Sequence, residues 1–166
     1  MGRTRGTPCW SRRGWRGAYT SLGNYADEEM LKLVKAASIS LKVSQDDVLR
    51  WFGTKALPLL AAAYPVSLKS FKSTRPFLLT LNDVIHPEVR KIYPGADVPE
   101  FEFDTSSEKM LGVVYRSKRR MCALAEGLMK GAAEYFGEEA LMKHTKCAQH
   151  GDLECRWDVW FKKRTS

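Results

Sequence analysis

The sequence predicts an α+β fold, with a helical N-terminal half and a C-terminal half that combines an antiparallel sheet with further helices. Three observations carry this. Apolar residues recur at helical spacing between Asp27 and Tyr93. Strand-like runs rich in β-branched and aromatic residues appear only after Val98. A single amphipathic stretch, Lys118 to Phe136, interrupts those runs, so the strands are not wound in alternation with helices. A chain of 166 residues suits one domain with a sizeable core.

Met1 to Arg16 has neither helical nor strand period, and we expect an atypical basic segment, disordered, ahead of a single domain over 17–166. The net charge is +8, and Arg3, Arg5, Arg12, Arg13 and Arg16 all precede the first acid, Asp27. The basicity is therefore a property of the tail, and a specific nucleic-acid interface is not expected. Trp10 and Trp15 among these arginines leave weak contact with nucleic acid as the alternative.

Gly17 to Tyr25 reads as a turn-rich connector. Asp27 to Leu41 reads as a helix, with Met30, Leu33, Val34, Ala37 and Leu41 in a stripe and three acids at its N-terminal dipole. Ser44 and Asp47 form a capping-box-like start for the next helix, which carries Val48, Trp51 and Phe52 and is expected to break at Gly53. A second helical piece, Leu57 to Tyr64, stops at Pro65. The next helix is predicted from about Arg75 to Tyr93. Val98 to Phe103 and Met110 to Arg116 read as extended, Lys118 to Phe136 as a helix capped by Gly137, and Glu139 to Cys147 and Glu154 to Phe161 as the last two strands.

His86 stands out within this frame. It sits on the apolar face formed by Leu78, Leu81, Ile85, Val89 and Ile92, directly before Pro87, and Tyr93-Pro94-Gly95 closes the helix. A proline bends or restarts a helix, so the imidazole lies at an expected kink where it can be aimed at a ligand. A lone histidine on such a face is more commonly a satisfied core residue. Later in the chain comes Tyr115-Arg116-Ser117-Lys118-Arg119. On a strand, Tyr115, Ser117 and Arg119 would share one face and offer three donors suited to a carboxylate. The alternative is a solvated strand end with a surface ion pair.

The pair of signals, His86 before Tyr93-Pro94 and then Tyr-x-Ser-x-Arg at Tyr115, Ser117 and Arg119, resembles the haem nitric oxide/oxygen-binding (H-NOX) family of stand-alone bacterial proteins, from about Gly17 to Phe161. The resemblance implies haem b between the two halves, with His86 as the proximal ligand of ferrous iron. It implies that Tyr115, Ser117 and Arg119 hold the propionates and that Pro99 packs on the porphyrin. It places Leu60, Tyr64 and Leu124 at the distal wall, with Leu124 where oxygen-binding members carry a tyrosine. The implied function is nitric oxide sensing, passed by a conformational change to a histidine kinase or cyclic-di-GMP enzyme. Family members usually begin with an apolar helix over the distal side, and Met1 to Arg16 lacks that stripe, so haem is expected to be held loosely.

His144 and Cys147 stand three apart, Cys155 follows across the last turn, and Cys122 lies on the preceding helix. Three sulfurs and one imidazole make an acceptable tetrahedral zinc set, with His150 as a spare. Some family members carry a zinc-bound cysteine cluster at corresponding places, with cysteine where His144 stands. The alternative is unrelated, partly buried thiols. Competing readings of the whole chain are a zinc/thiol redox sensor on the same fold or a haem-free interaction protein. No nucleophile, acid/base pair or phosphate loop is evident, so no enzyme activity is expected. Four cysteines without a secretory segment fit the reducing cytoplasm, and no apolar run reaches the length of a membrane span.

Overall fold

The computed structural model describes residues 19, 20, 23, 25–63 and 68–164. The expected basic segment 1–16 and the distal-wall candidate Tyr64 lie outside the described residues. Helix α1 spans Asp27–Leu41 and α2 spans Gln45–Ala63. The Ser44 hydroxyl accepts the Asp47 backbone N–H at 3.0 Å, the N-cap half of the expected box, and donates to the Asp47 carboxylate at 2.6 Å.

Gly53 does not break α2. The helix runs through it and through Pro58. Helix α5, Cys122–Tyr135, crosses α2 there, and Gly53, Gly127 and Gly131 let the two backbones nearly touch. A Cβ on Gly53 would stand 2.6 Å from the Leu124 carbonyl oxygen, and one on Gly131 would stand 2.6 Å from that of Thr54. Both obstacles are backbone, which cannot swing aside. Gly127→Ala, aimed at the Arg50 carbonyl, is therefore expected to cost about 1–3 kcal/mol of stability, the usual range for overpacking. Thermal unfolding of the two proteins checks this; an unchanged midpoint would mean that the helices separate freely.

The sheet is four-stranded and antiparallel in the order β1-β2-β4-β3, with β1 Glu100–Asp104, β2 Leu111–Arg116, β3 Glu138–Lys146 and β4 Cys155–Lys163. Central β2 is buried from Leu111 to Tyr115, which its Val-Val-Tyr run suits. Strand β4 alternates, with Cys155, Trp157 and Val159 fully buried. Gly137, at φ +68°, turns the chain from α5 into β3, as expected of a glycine after a helix. Helix α5 starts later than the periodicity predicts, at Cys122 rather than Lys118, because Arg120 adopts a left-handed backbone (φ 49°) in the preceding turn.

Helix α3, Thr74–Leu79, is pinned to this sheet from two sides. Buried Glu138 accepts the Thr74 backbone N–H at 2.9 Å and its hydroxyl at 2.6 Å. Arg75 donates to the carbonyls of Ser107, Glu108 and Met110 in the β1–β2 connection. A buried carboxylate is tolerated because it receives these donors at a helix start.

Candidate haem and thiol sites

The single predicted helix from Arg75 to Tyr93 is three pieces. Helix α3 ends at Leu79, a π-helical turn covers Leu81–Ile85, and α4 spans His86–Ile92. The Thr80 carbonyl accepts from both Val84 N (2.9 Å) and Ile85 N (3.1 Å), and the His86 N–H reaches back five residues to the Leu81 carbonyl. Pro87 has no N–H to continue an α-helical ladder, and the widened turn absorbs that mismatch just upstream. The expected kink thus precedes His86 and places it as the first residue of α4. Asn82, within the π turn, fixes the segment to the sheet edge. Its side-chain amide donates to the Phe101 carbonyl at 2.5 Å and accepts the Phe101 N–H at 3.1 Å, like one more strand residue.

The His86 imidazole is half-buried, 5.8 Å from the Phe101 ring, with no hydrogen-bond partner among the described residues. Burial, and then the Arg90 charge, hold it below the ordinary histidine range, so it is neutral near pH 7 with a lone pair to offer. Phe101 also meets the Tyr115 ring at 5.5 Å. This aromatic row joins the histidine to the other half of the candidate site.

Tyr115 is buried at the end of β2, and burial pushes its phenol above the ordinary range despite hydrogen bonds to Ser117 and the Met121 backbone. It lines a surface cavity of about 630 Å³ together with Val98, Ser117, Lys118 and Arg120. Strand β2 ends at Arg116, however, so Ser117 and Arg119 do not share a strand face with Tyr115. They belong to the turn before α5. In that turn Arg119 gives both arms of its fork to Asp27, Nε at 2.9 Å and Nη2 at 2.5 Å. The expected three-donor face is therefore corrected to a Tyr115–Ser117 pair and an arginine latched to the first residue of α1. Lys118 and Arg120, which the Tyr-x-Ser-x-Arg reading passes over, line the cavity instead.

Pro99 is half-buried directly before β1. Leu60 is 47% exposed, an apolar side chain left free by the core. Leu124 is half-buried against Val34, Leu49 and Ala123, a small cluster where α1, α2 and α5 meet. Leu60 is not in that cluster, so the two expected wall residues occupy different surroundings. The donor set itself suits haem: a neutral imidazole unpartnered among the described residues, a buried tyrosine and a half-buried serine beside basic residues for carboxylates, and exposed apolar surface.

The thiols form a second site. Cys122, Cys147 and Cys155 are all buried, with their sulfurs within 4.8 Å of one another and the Cys122 and Cys147 sulfurs 3.9 Å apart. Burial, then the neighbouring thiols, push Cys122 far above the ordinary thiol range, and burial raises Cys155 as well. His144 does not join them. It faces Trp157 across the β3–β4 ladder, its ring stacks on the indole at 4.7 Å, and the side chain is exposed. The ladder shifts register between His144 and Lys146, so the chain turns inward only at Cys147. The four-ligand zinc set is corrected to three sulfurs.

The family model for haem-NO-binding proteins matches residues 9–144. The chain belongs to this family, H-NOX. Solved H-NOX structures share its fold. An H-NOX protein from K. algicida, unliganded in the Fe(II) state, is 31% identical with a TM-score of 0.80, covering 90% of this chain and 80% of its own. The S. oneidensis protein in the Fe(II)NO ligation state is 26% identical with a TM-score of 0.86, covering 93% and 87%. The H-NOX from Shewanella woodyi, in the Fe(II)CO state, is 29% identical with a TM-score of 0.80, covering 95% and 84%. No curated protein matches the chain. Among the described residues no helix is long and apolar enough to cross a membrane.

Proposed function

We propose that this H-NOX chain is a haem-based gas sensor that binds nitric oxide at ferrous haem b and signals to a partner protein through a change of shape. The observation that carries the reading is His86: a half-buried, neutral imidazole without a hydrogen-bond partner among the described residues, placed where a π turn meets α4. Bound haem would supply a ferrous iron that takes a diatomic gas. His86 would be its protein ligand. Tyr115 and Ser117 would receive the propionates, joined by Arg119 on leaving Asp27, and Pro99 and Leu60 would supply apolar contact.

The way the segment is anchored supports a signalling role. Helix α3 is tied to β3 through Glu138, and the π turn is tied to β1 through Asn82. Release of the imidazole would leave both ties in place and free α4 beyond them. That is a local two-state element which a ligand can bias. The recipient we propose is a histidine kinase or a cyclic-di-GMP enzyme in the cytoplasm, and sensing rather than catalysis is the chain's task.

Leu124 in place of a tyrosine gives bound oxygen, which carries partial negative charge, no donor from that position. Ferrous protein is therefore expected to bind nitric oxide and carbon monoxide and to form no stable oxygen complex in air. Visible spectra with each gas test this. An absent Soret band would refute haem binding, and a persistent oxy spectrum would refute selectivity for nitric oxide.

The buried thiols favour a second reading, a thiol-based sensor on the same fold. Zinc at Cys122, Cys147 and Cys155 would need a fourth ligand other than His144.

A further inference from the structure

The two outer strands of the sheet differ. Strand β1 is tied along its outer side by the Asn82 amide, which exchanges two hydrogen bonds with Phe101. Strand β3 pairs with β4 on one side and has no backbone partner on the other among the described residues. It contains no proline, and its ladder to β4 is regular from Glu138 to His144, where the register shifts. An outer strand of that regularity is a template for another strand.

The residues of β3 decide which strand fits. Glu139, Leu141 and Lys143 share one face and are exposed, while Ala140 and Met142 are half-buried on the other. Leu141 is the midpoint of the regular stretch. A second β3 running antiparallel about a two-fold axis at Leu141 sets Glu139 opposite the second copy's Lys143, and Lys143 opposite its Glu139. Leu141 then meets its own counterpart, and Ala140 meets Met142, small against large. No like charges stand opposite each other, and opposite charges in facing positions stabilise a strand pair.

The pattern continues into the neighbouring strands. Within the chain Glu139 faces Lys162 across the ladder, and Lys143 faces Asp158. One row across the joined sheets therefore reads Lys162, Glu139, Lys143, Asp158, alternating in sign. Sliding by one pleat either way sets Leu141 against Glu139 or Lys143 and loses both exposed charge pairs. A slip of a single residue turns the exposed face of one copy against the buried face of the other. Beside the same strand lies a surface cavity of about 670 Å³, lined by Arg50, Trp51 and Lys55 of α2 and by Ala140 and Leu141. Trp51 is exposed there, and tryptophan is enriched where partners bury surface.

We propose that two copies of this chain pair through β3, antiparallel about Leu141, and join their sheets in a two-fold dimer. The contact is isologous, so it closes on itself and does not propagate. One strand pair with a flanking aromatic is a small interface, so the dimer is reversible. The pairing does not depend on the haem reading.

The test is sedimentation of the full chain over a range of concentrations, in which the mass should rise toward that of two chains. Glu139→Lys sets like charges opposite at two symmetric places and should weaken association by about tenfold or more. Lys143→Glu should do the same. The double variant exchanges the signs and keeps both pairs, so it should recover association. In a Cys9→Ser background, Leu141→Cys should give a disulfide-linked dimer on mild oxidation, because that position is its own neighbour across the axis. The other three cysteines are buried. A single-chain mass at every concentration would overturn the proposal and leave the strand to a different protein. So would a dimer indifferent to Glu139→Lys, a double variant that does not recover, or a Leu141→Cys chain that does not cross-link. Positions 139, 141 and 143 are all exposed, so the variants keep the fold.

Discussion

His86→Gly is expected to purify without haem and to recover a Soret band when free imidazole is added. The substitution removes the proposed protein ligand to iron while leaving a space that imidazole fits. The backbone around position 86 should survive, because the features that set it do not use the imidazole. The Leu81 carbonyl takes the residue-86 N–H whatever the side chain, and Asn82 holds Phe101 through its own amide. Glycine at the start of α4 should cost less than about 1 kcal/mol of helix stability. The unfolding midpoint of the haem-free protein should thus move little while haem occupancy collapses. Absorption spectra of the variant with and without imidazole, set beside thermal melts, measure both. An unchanged Soret band in His86→Gly would reassign the iron ligand.

Arg119→Ala is expected to lower haem affinity by about tenfold or more, since a charge-assisted hydrogen bond is worth about 1.5–3 kcal/mol. Ser117→Ala, which removes a neutral contact, should do less. The Asp27 latch adds a discriminating arm. Without haem, Asp27 holds the guanidinium in the two-armed way a propionate would. Asp27→Asn should therefore raise haem affinity. The gain is bounded by the worth of a partly exposed ion pair, about 1 kcal/mol or roughly fivefold, because Arg119 and Asp27 are 35% and 43% exposed. Competition for haem with an excess of an apo-haem protein orders the three variants. Arg119→Ala with wild-type affinity would remove the arginine from the clamp. Weaker binding in Asp27→Asn would show instead that the latch positions Arg119 for haem.

The thiol site shows where a one-dimensional reading stops. Cys122, Cys147 and Cys155 are widely separated in sequence, and a helix followed by a hairpin turn brings them to one end of the sheet, although the helix opens at Cys122 itself and not at Lys118. The inclusion of His144 was not sound. The spacing from His144 to Cys147 suits a metal only if the intervening chain curls, and here it stays paired to β4 as far as Lys146. A ladder's register depends on its partner strand, which local spacing does not reveal.

Local rules read along the chain were enough for the fold class, the N-cap at Ser44, the cap at Gly137, the order of helices and strands, and the candidacy of His86 and Tyr115. These rest on short-range rules: periodicity, caps, and a proline that cannot donate. The rest depended on how distant elements pack. Gly53 read as a breaker and is instead where α2 meets α5, because the benefit of a missing Cβ appears only when another backbone arrives. The kink at Pro87 became a π turn upstream of His86, with Asn82 as its tie to Phe101. Arg119 read as one of three donors in a row and is claimed by Asp27, which lies 92 positions away. An arginine fork binds whichever carboxylate the fold brings to it, and that choice belongs to the packing of α1 against the turn before α5.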